Sequence, residues 1–210
     1  MKKSLILVGG GGHCHSCIDV IEQEDKFTIA GILDIPSRLG ETVLGYSIIG
    51  QDEQIPELVK QGYSFLITIG HIKTPNPRQN LYKMLKRLKA PLPVIISPRA
   101  YVSPHASVGE GSIVMHGSVV NAGSKVGCNC ILNSKSLIEH DALISDHCHI
   151  STGAIVNGGT CIGEGTFLGS NSVTREYITV GQNCLIGGGM SIMRNIPDGT
   201  LLKPPQTGDT

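Results

Sequence analysis

Neither sign of charge is in excess in this chain of 210 residues: seventeen Lys and Arg balance seventeen Asp and Glu, and no charge run stands out. An electrostatic hold on nucleic acid or on an anionic membrane has no basis in such a composition. Long apolar runs are missing as well. The stretch Leu5 to Val8 behind Met1-Lys2-Lys3 is too short for a signal peptide, and nothing approaches the ~18 apolar residues of a membrane span. Cysteine is not paired off: there are seven, an odd number, scattered through a chain that needs no covalent staples. Reduced thiols in a cytoplasmic protein are therefore expected. The length leaves room for one large or two small domains.

What is present is regularity. From Val102 to Ile196 the sequence repeats every six residues without insertion or deletion. In the column Val102, Val108, Val114 and onward to Ile186 and Ile192, fifteen of sixteen residues are aliphatic, Thr174 being the exception. Four residues after each comes a second column, Ala106, Ser112, Ser118 and so on to Cys184, Met190 and Ile196, in which thirteen of sixteen are Ala, Ser, Thr or Cys. A hexapeptide period is a β-solenoid signature. The aliphatic column should point inward and the small column should pack into corners. Cys130, Cys148 and Cys184 fall in the small column, where a thiol behaves as a small buried hydrophobe.

The front third reads differently. Ser4 to Val8 is a short apolar run ending in Gly9-Gly10-Gly11-Gly12-His13, and a period-3.6 pattern follows through Ile18, Val20 and Ile21 to about Glu24. Strand, glycine turn and helix open a βαβ unit. Phe27 to Leu33 is the next strand, with Asp34 at its end. A helix from about Glu53 to Lys60, a strand Ser64 to Gly70, a helix from about Arg78 to Leu88 and a last strand Pro93 to Ile96 complete a small parallel sheet with covered faces. The glycine turn offers backbone N–H groups and a helix N-terminus to a phosphate, and an acid at the end of the second strand can bind ribose hydroxyls. The dinucleotide fingerprint is imperfect, because Cys14 stands where its third glycine belongs. A nucleotide-linked small molecule fits this domain better than a whole dinucleotide. His13-Cys14-His15-Ser16-Cys17 has no second ligand pair, so no metal is expected there; His13 is placed instead as a polar group facing the bound ligand.

Pro98 ends strand pairing and forbids helix at Ser97. The expected division is a Rossmann-like nucleotide-sugar-binding domain over 1-98 and a hexad coil over 99-210, joined too closely for independent motion. The aliphatic column alone buries less than the ordering of some ninety residues costs. Flat faces packed on copies of the same chain would supply the rest, so a homo-oligomer, most simply a homotrimer, is expected.

Five histidines lie within the coil. His105 and His116 suit outward positions on a solvated face. His140 is followed by Asp141, a carboxylate able to orient an imidazole for general-base work. His140 and His149 are nine residues apart, half of an 18-residue turn, and so should lie on different faces.

A βαβ nucleotide domain opening with Gly9-x-x-Gly12-His13, followed by a hexapeptide coil carrying Asn133, Glu139-His140-Asp141 and His149, resembles the PglD/NeuD/PerB family of sugar acetyltransferases over nearly the whole chain. The resemblance implies an α/β Rossmann-like domain followed by an all-β left-handed parallel β-helix, a homotrimer, acetyl-CoA as cosubstrate and no metal. It implies N-acetylation of the 4-amino group of a nucleotide-linked amino sugar in bacterial surface-glycan biosynthesis. His140 matches the general base and Asp141 its acidic neighbour. Gly9, Gly12, His13, Asp34, Gly70, Asn133 and Glu139 match substrate-binding positions; His149, Gly158 and Gly188 match acetyl-CoA-binding ones. The chain departs from the family at its end, where Leu202-Lys203-Pro204-Pro205-Gln206 keeps a proline and loses the Gly and Ala of the usual motif. Three rival readings exist: O-acetylation of a sialic-acid-type sugar, a zinc-dependent hydratase using His140, His147 and His149, and a sugar-nucleotide binder without catalysis.

Overall fold

The computed structural model describes residues 2–203; the altered motif beyond Lys203 lies outside them. The N-terminal sheet consists of β1 (Lys3–Val8), β2 (Phe27–Leu33), β3 (Thr42–Val43), β4 (Tyr46–Gly50) and β5 (Ser64–Ile67), in the order β3-β4-β2-β1-β5. Leu5 to Val8 are buried throughout, as a strand covered on both faces requires. Helix α1 (Gly12–Glu24) covers one face, and α2 (Ile55–Lys60) with α3 (Asn76–Arg87) covers the other.

One hairpin is new relative to the sequence reading. β3 and β4 pair antiparallel through Leu44 and Gly45, with φ of 49° and 87°. Two consecutive left-handed residues make the tight turn that suits a twisted hairpin. Leucine is an uncommon residue for the first of these positions, which is why the sequence conceals the turn.

The coil is a left-handed parallel β-helix. Its front face stacks Ile95–Ile96, Ile113–Val114, Ile131–Leu132, His149–Ile150, Phe167–Leu168, Leu185–Ile186 and Leu201–Leu202. The second face runs from Tyr101–Val102 through Leu137–Ile138 to Ser191–Ile192, and the third from Ser107–Val108 to Thr179–Val180. Partners are eighteen residues apart, as in Leu132 with Ile150. The strand expected to finish the N-terminal sheet is in fact the first rung of the coil: Ile95–Ile96 pairs with Ile113–Val114. The reason is register. Ile96 stands six residues before Val102 and Ala100 four after Ile96, so the hexads start one unit earlier and on the N-terminal side of Pro98. At the other end the last turn is short, with Val180 bridging Ile196 and Leu185 pairing Leu201, sixteen residues on.

The small column is more than filler. At one corner Ser112 Oγ donates to Gly127 O (2.8 Å), Cys130 Sγ to Ser145 O (3.1 Å), Cys148 Sγ to Gly163 O (3.1 Å) and Thr166 Oγ1 to Gly181 O (2.7 Å). Hydroxyl and thiol stand in for one another because each donates to the carbonyl fifteen residues ahead. Thr174 in the aliphatic column is fully buried, and its Oγ1 accepts the Asn157 N–H at 3.0 Å.

The two domains share a core. Cys14, Cys17, Ile18 and Ile21 of α1 pack with Leu5 and Leu7 on one side and with Ile95, Ile113, Met115 and Ile131 of the front face on the other. Burial pushes the Cys14 thiol up to about 11 and raises Cys17 further.

Candidate active site

β1 sits between β2 and β5 in the sheet, so successive connections leave it in opposite directions. Ligands of open α/β sheets bind at such a switch point, beyond the carboxyl ends of the strands. A cleft of about 380 Å³ lies there, lined by Gly9 to His13, Asp34, Arg38, Thr68 and Gly70 among others. Gly9 has φ +107°, and a Cβ would stand 2.4 Å from Ile69 Cγ1, so no other residue fits. Gly9 is tied on both sides: its N–H donates to Leu33 O (2.8 Å) and its carbonyl accepts from Thr68 Oγ1 (2.6 Å). Gly12 opens α1, and Gly70 stands 3.5 Å from the His13 side chain, measured from where its Cβ would be.

Asp34 does not present a free carboxylate to a ribose. Its Oδ2 accepts the Gly10 N–H at 2.8 Å and pairs with Arg38 Nη1 at 2.7 Å, while Oδ1 accepts the Ile35 N–H at 2.7 Å. Asp34 therefore fastens the glycine turn, and Arg38, which also donates to Gly10 O at 3.0 Å, brings the cation to the cleft. The sequence reading missed Arg38, although its four-residue spacing from Asp34 is a visible signal. Thr68 and His71 carried none.

His13 and Gly70 connect this cleft to the front face of the coil. His149 projects outward from that face and would be solvated on a bare coil. Here it is 6% exposed, because the N-terminal domain covers it. Its ring centroid is 5.6 Å from His71, 6.3 Å from His13 and 5.1 Å from Phe167. Its Nδ1 donates to the His71 carbonyl at 2.7 Å. Asn133, on the next corner, places Nδ2 at 3.4 Å from His149 Nε2. Desolvation holds His13 and His71 down at about 3 and His149 at about 4, and the nearby Arg78 charge pushes the same way. His13 Nε2 and both ring nitrogens of His71 are buried without a hydrogen-bond partner.

Beneath this junction Arg78 is fully buried and bridges the domains. Nη1 donates to Ile67 O (2.7 Å) and Ile69 O (2.6 Å), and Nη2 to Asn129 Oδ1 (2.7 Å) and Asn129 O (3.2 Å). All four of these partners are carbonyl oxygens, and burial lowers the guanidinium to about 10.

His140 is elsewhere. It lies on the corner after Leu137–Ile138, with its side chain 55% exposed. Nδ1 is 3.0 Å from Asp141 Oδ2, which accepts its proton and leaves Nε2 as the available base. Gly158 is one turn along on the same corner. A Cβ there would meet His140 Nε2 at 2.7 Å, so glycine makes room for the ring. Glu139 is held by Asn121, whose Nδ2 donates to Oε2 at 3.0 Å. Gly188 lies on the Asn133 corner, against Ser170. The expected separation of His140 and His149 is thus present, one on a corner and one on the covered front face. His147 occupies a third position, packed on Tyr82, with Nδ1 accepting from Asn129 Nδ2 at 2.9 Å. Within one chain these three histidines do not converge.

Residues 4–85 match the PglD N-terminal domain family. Perosamine N-acetyltransferase PerB from Caulobacter crescentus, solved with CoA and GDP-perosamine, is 31% identical; the alignment covers 96% of this chain and 94% of that one, with a TM-score of 0.88. The acetyltransferase domain of PglB from Neisseria gonorrhoeae, solved with acetyl coenzyme A, is 30% identical over 97% of both chains, again with a TM-score of 0.88. WeeI from Acinetobacter baumannii, 17% identical with a TM-score of 0.72 over 95% of this chain and 96% of that one, shares the fold. No curated protein sequence gives a match.

Proposed function

The chain belongs to the PglD/NeuD/PerB family of sugar acetyltransferases, and on that premise we propose that it transfers acetyl from acetyl-CoA to the 4-amino group of a nucleotide-linked amino sugar. The observation that carries this reading is the pairing, in one rigidly joined chain, of a glycine-turn cleft with a hexapeptide coil. The same pairing spans 96% of the chain in alignment with an enzyme solved with CoA and GDP-perosamine.

The cleft takes the nucleotide, with Gly9, Gly12 and the α1 N-terminus at the phosphates, Arg38 beside them, and Asp34 holding the turn in shape. His13 and Gly70 line the way to the coil, where Asn133 and His149 wait. Gly158 and Gly188 leave backbone open to the pantetheine arm. The sugar amine attacks the thioester carbonyl carbon and the C–S bond breaks as the tetrahedral intermediate collapses. His140 Nε2 takes the amine proton and Asp141 holds His140 in the required tautomer. Backbone N–H groups stabilise the oxyanion. The departing thiolate receives the proton and leaves as CoA. A neutral amine is already a competent nucleophile, so no acyl-enzyme is required.

His140 sits on a corner and His149 on the covered front face of one coil, so a complete site draws on two chains. The second face supports this arrangement. Its outward residues Val119, Leu137, Ile155 and Val173 form a half-buried apolar stripe suited to packing around a threefold axis. The assembly is a homotrimer in the cytoplasm, working in bacterial surface-glycan biosynthesis. Thiol release from acetyl-CoA, run with UDP-, GDP- and dTDP-4-amino sugars, tests the activity. Turnover with one of them is expected, and silence with all three overturns the reading.

A further inference from the structure

Tyr177 is the most exposed large apolar side chain among the described residues, at 75%. It stands on a coil corner with φ of 51°. Asn129, Asn171 and Asn183 hold the same left-handed conformation at other corners, and asparagine tolerates it where a bulky side chain does so poorly. An aromatic ring held on an unfavourable backbone and turned to solvent gains nothing for the fold. Strain of this kind is kept where the group it presents is used.

The ring leans towards the rung of His140. Successive turns of this corner are stitched together, with Gly159 N donating to His140 O at 3.0 Å and Tyr177 N to Gly158 O at 2.9 Å. The Tyr177 ring folds back over Gly159, where a Cβ would stand 2.3 Å from Cδ1 and 2.4 Å from Cε1. The His140 ring leans the other way over Gly158, with Nε2 2.7 Å from the Cβ position there. Two consecutive glycines thus leave the backbone bare between an imidazole on one side and a phenol ring on the other.

Two strand pairings, Ile138 with Val156 and Ile155 with Val173, carry the Tyr177 corner two rungs beyond that of His140, ~10 Å along the coil. The nucleotide cleft meets the coil earlier, where His13 lies 6.3 Å from His149. The Tyr177 corner comes more than one turn after His149. At His140 the two reactants part: the sugar ends at its amine, whereas acetyl-CoA begins at its thioester and continues as a long, thin arm. We infer that Tyr177 forms a wall of the acetyl-CoA site, packing its ring along the pantetheine arm as the arm leaves His140. The inference rests on the acetyltransferase reading for the identity of the ligand. The flat face of the ring suits the methyl and amide groups of the arm, and its hydroxyl can stay in water. The chain that supplies His140 supplies Tyr177 with it.

The chain has no tryptophan, so Tyr177→Trp places a single indole at this corner. Its emission in the free protein is expected to be that of a solvated indole, and CoA alone should shift it to the blue in a saturable way. Emission already blue without ligand would mean that a neighbouring subunit covers the corner, and would overturn the inference. So would a shift produced by the nucleotide sugar in the absence of CoA, or an emission that CoA leaves unmoved in a sample that turns over. A second variant needs no indole. Tyr177→Asn removes the ring and suits the left-handed backbone, so it should fold as well as the parent. Its KM for acetyl-CoA should rise roughly tenfold, with KM for the nucleotide sugar unmoved. Acetyl-pantetheine, which lacks the nucleotide, should show the same rise; no rise with that donor would assign the ring to the nucleotide instead and overturn the inference. Failure of thiol release with every nucleotide sugar would sink the enzymatic reading, while the shift of the indole by CoA would still be read on its own.

Discussion

Gly158→Ala is the substitution that most directly tests His140. The backbone at Gly158 is not left-handed, so alanine meets no conformational objection. The obstacle is the imidazole one turn away. The added methyl would sit 2.7 Å from His140 Nε2 and 2.8 Å from Cε1. An ordinary contact begins near 3.4 Å, so the ring must retreat by about 0.7 Å. His140 is half exposed, and retreat into solvent costs the fold little. It does, however, pull Nδ1 from its 3.0 Å contact with Asp141 and shifts Nε2, the atom that should meet the amine proton. Misplacement of a reacting group by ~1 Å costs ~10²-fold in rate, or ~2.7 kcal/mol of barrier. Removing the base in His140→Ala should cost ~10²–10⁴-fold. Gly158→Ala should therefore lose roughly 30- to 100-fold in kcat, near the low end of the His140→Ala loss, with an unchanged melting temperature. Steady-state thiol release and a thermal melt on the same preparation decide it. Wild-type kcat in Gly158→Ala beside a disabled His140→Ala would refute the placement of the base.

Four further outcomes follow from the geometry. Asp34→Asn weakens the ion pair with Arg38 and loosens the Gly10 turn, so KM for the nucleotide sugar should rise several-fold while KM for acetyl-CoA stays put; equal changes in both would count against the cleft. Arg78→Leu strips the donors from four carbonyl oxygens across the domain junction and should destabilise by about 3 kcal/mol, read as a lower denaturant midpoint; an unchanged midpoint would show that Arg78 does not join the domains. His71 and His149 are buried with pKa values held at about 3 and 4, below the ordinary histidine value. The unfolded chain therefore binds protons that the folded one refuses. Stability should be full above pH ~6.5 and fall on acidification by roughly 1.4 kcal/mol per pH unit for each ring; a denaturation midpoint flat from pH 7 to 5 would contradict the burial. Leu137→Lys puts a charge in the middle of the second face and should convert the proposed trimer to smaller species in analytical ultracentrifugation; an unaltered sedimentation coefficient would count against an interface on this face.

The coil was legible because its two columns are set by geometry that repeats identically eighteen residues later. Even so, the reading started one hexad late, at Val102, since Pro98 looks like a boundary and Ile96 like the end of a sheet. The junction was the opposite case. His149 reads as an outward residue of the site, on a different face from His140, and nothing in the sequence shows that the docking of α1 onto Ile113 and Ile131 turns the front face into an interior. Arg78 reads only as the start of a helix. Its burial comes from a contact with Asn129, 51 positions away, which no local pattern records. Asp34 was found by position and assigned by analogy with sheets that bind ribose. The structure spends that carboxylate on Gly10 and Arg38, the latter a partner four residues on that is visible in the sequence once sought.

The eighteen-residue repeat makes lengths along the coil come in whole steps. Each rung advances the chain by the strand spacing of ~4.8 Å. Three such steps separate the corner of Asn133 from that of Gly188, since their strands Ile131–Leu132 and Leu185–Ile186 are linked by three successive pairings. The reach between the two ends of that corner is thus ~14 Å, and it can change only by one rung at a time. Splicing a duplicate turn between them would lengthen the reach by one increment without re-aiming any side chain. An enzyme on this scaffold could therefore be retuned for a longer carrier arm by counting rungs instead of redesigning contacts.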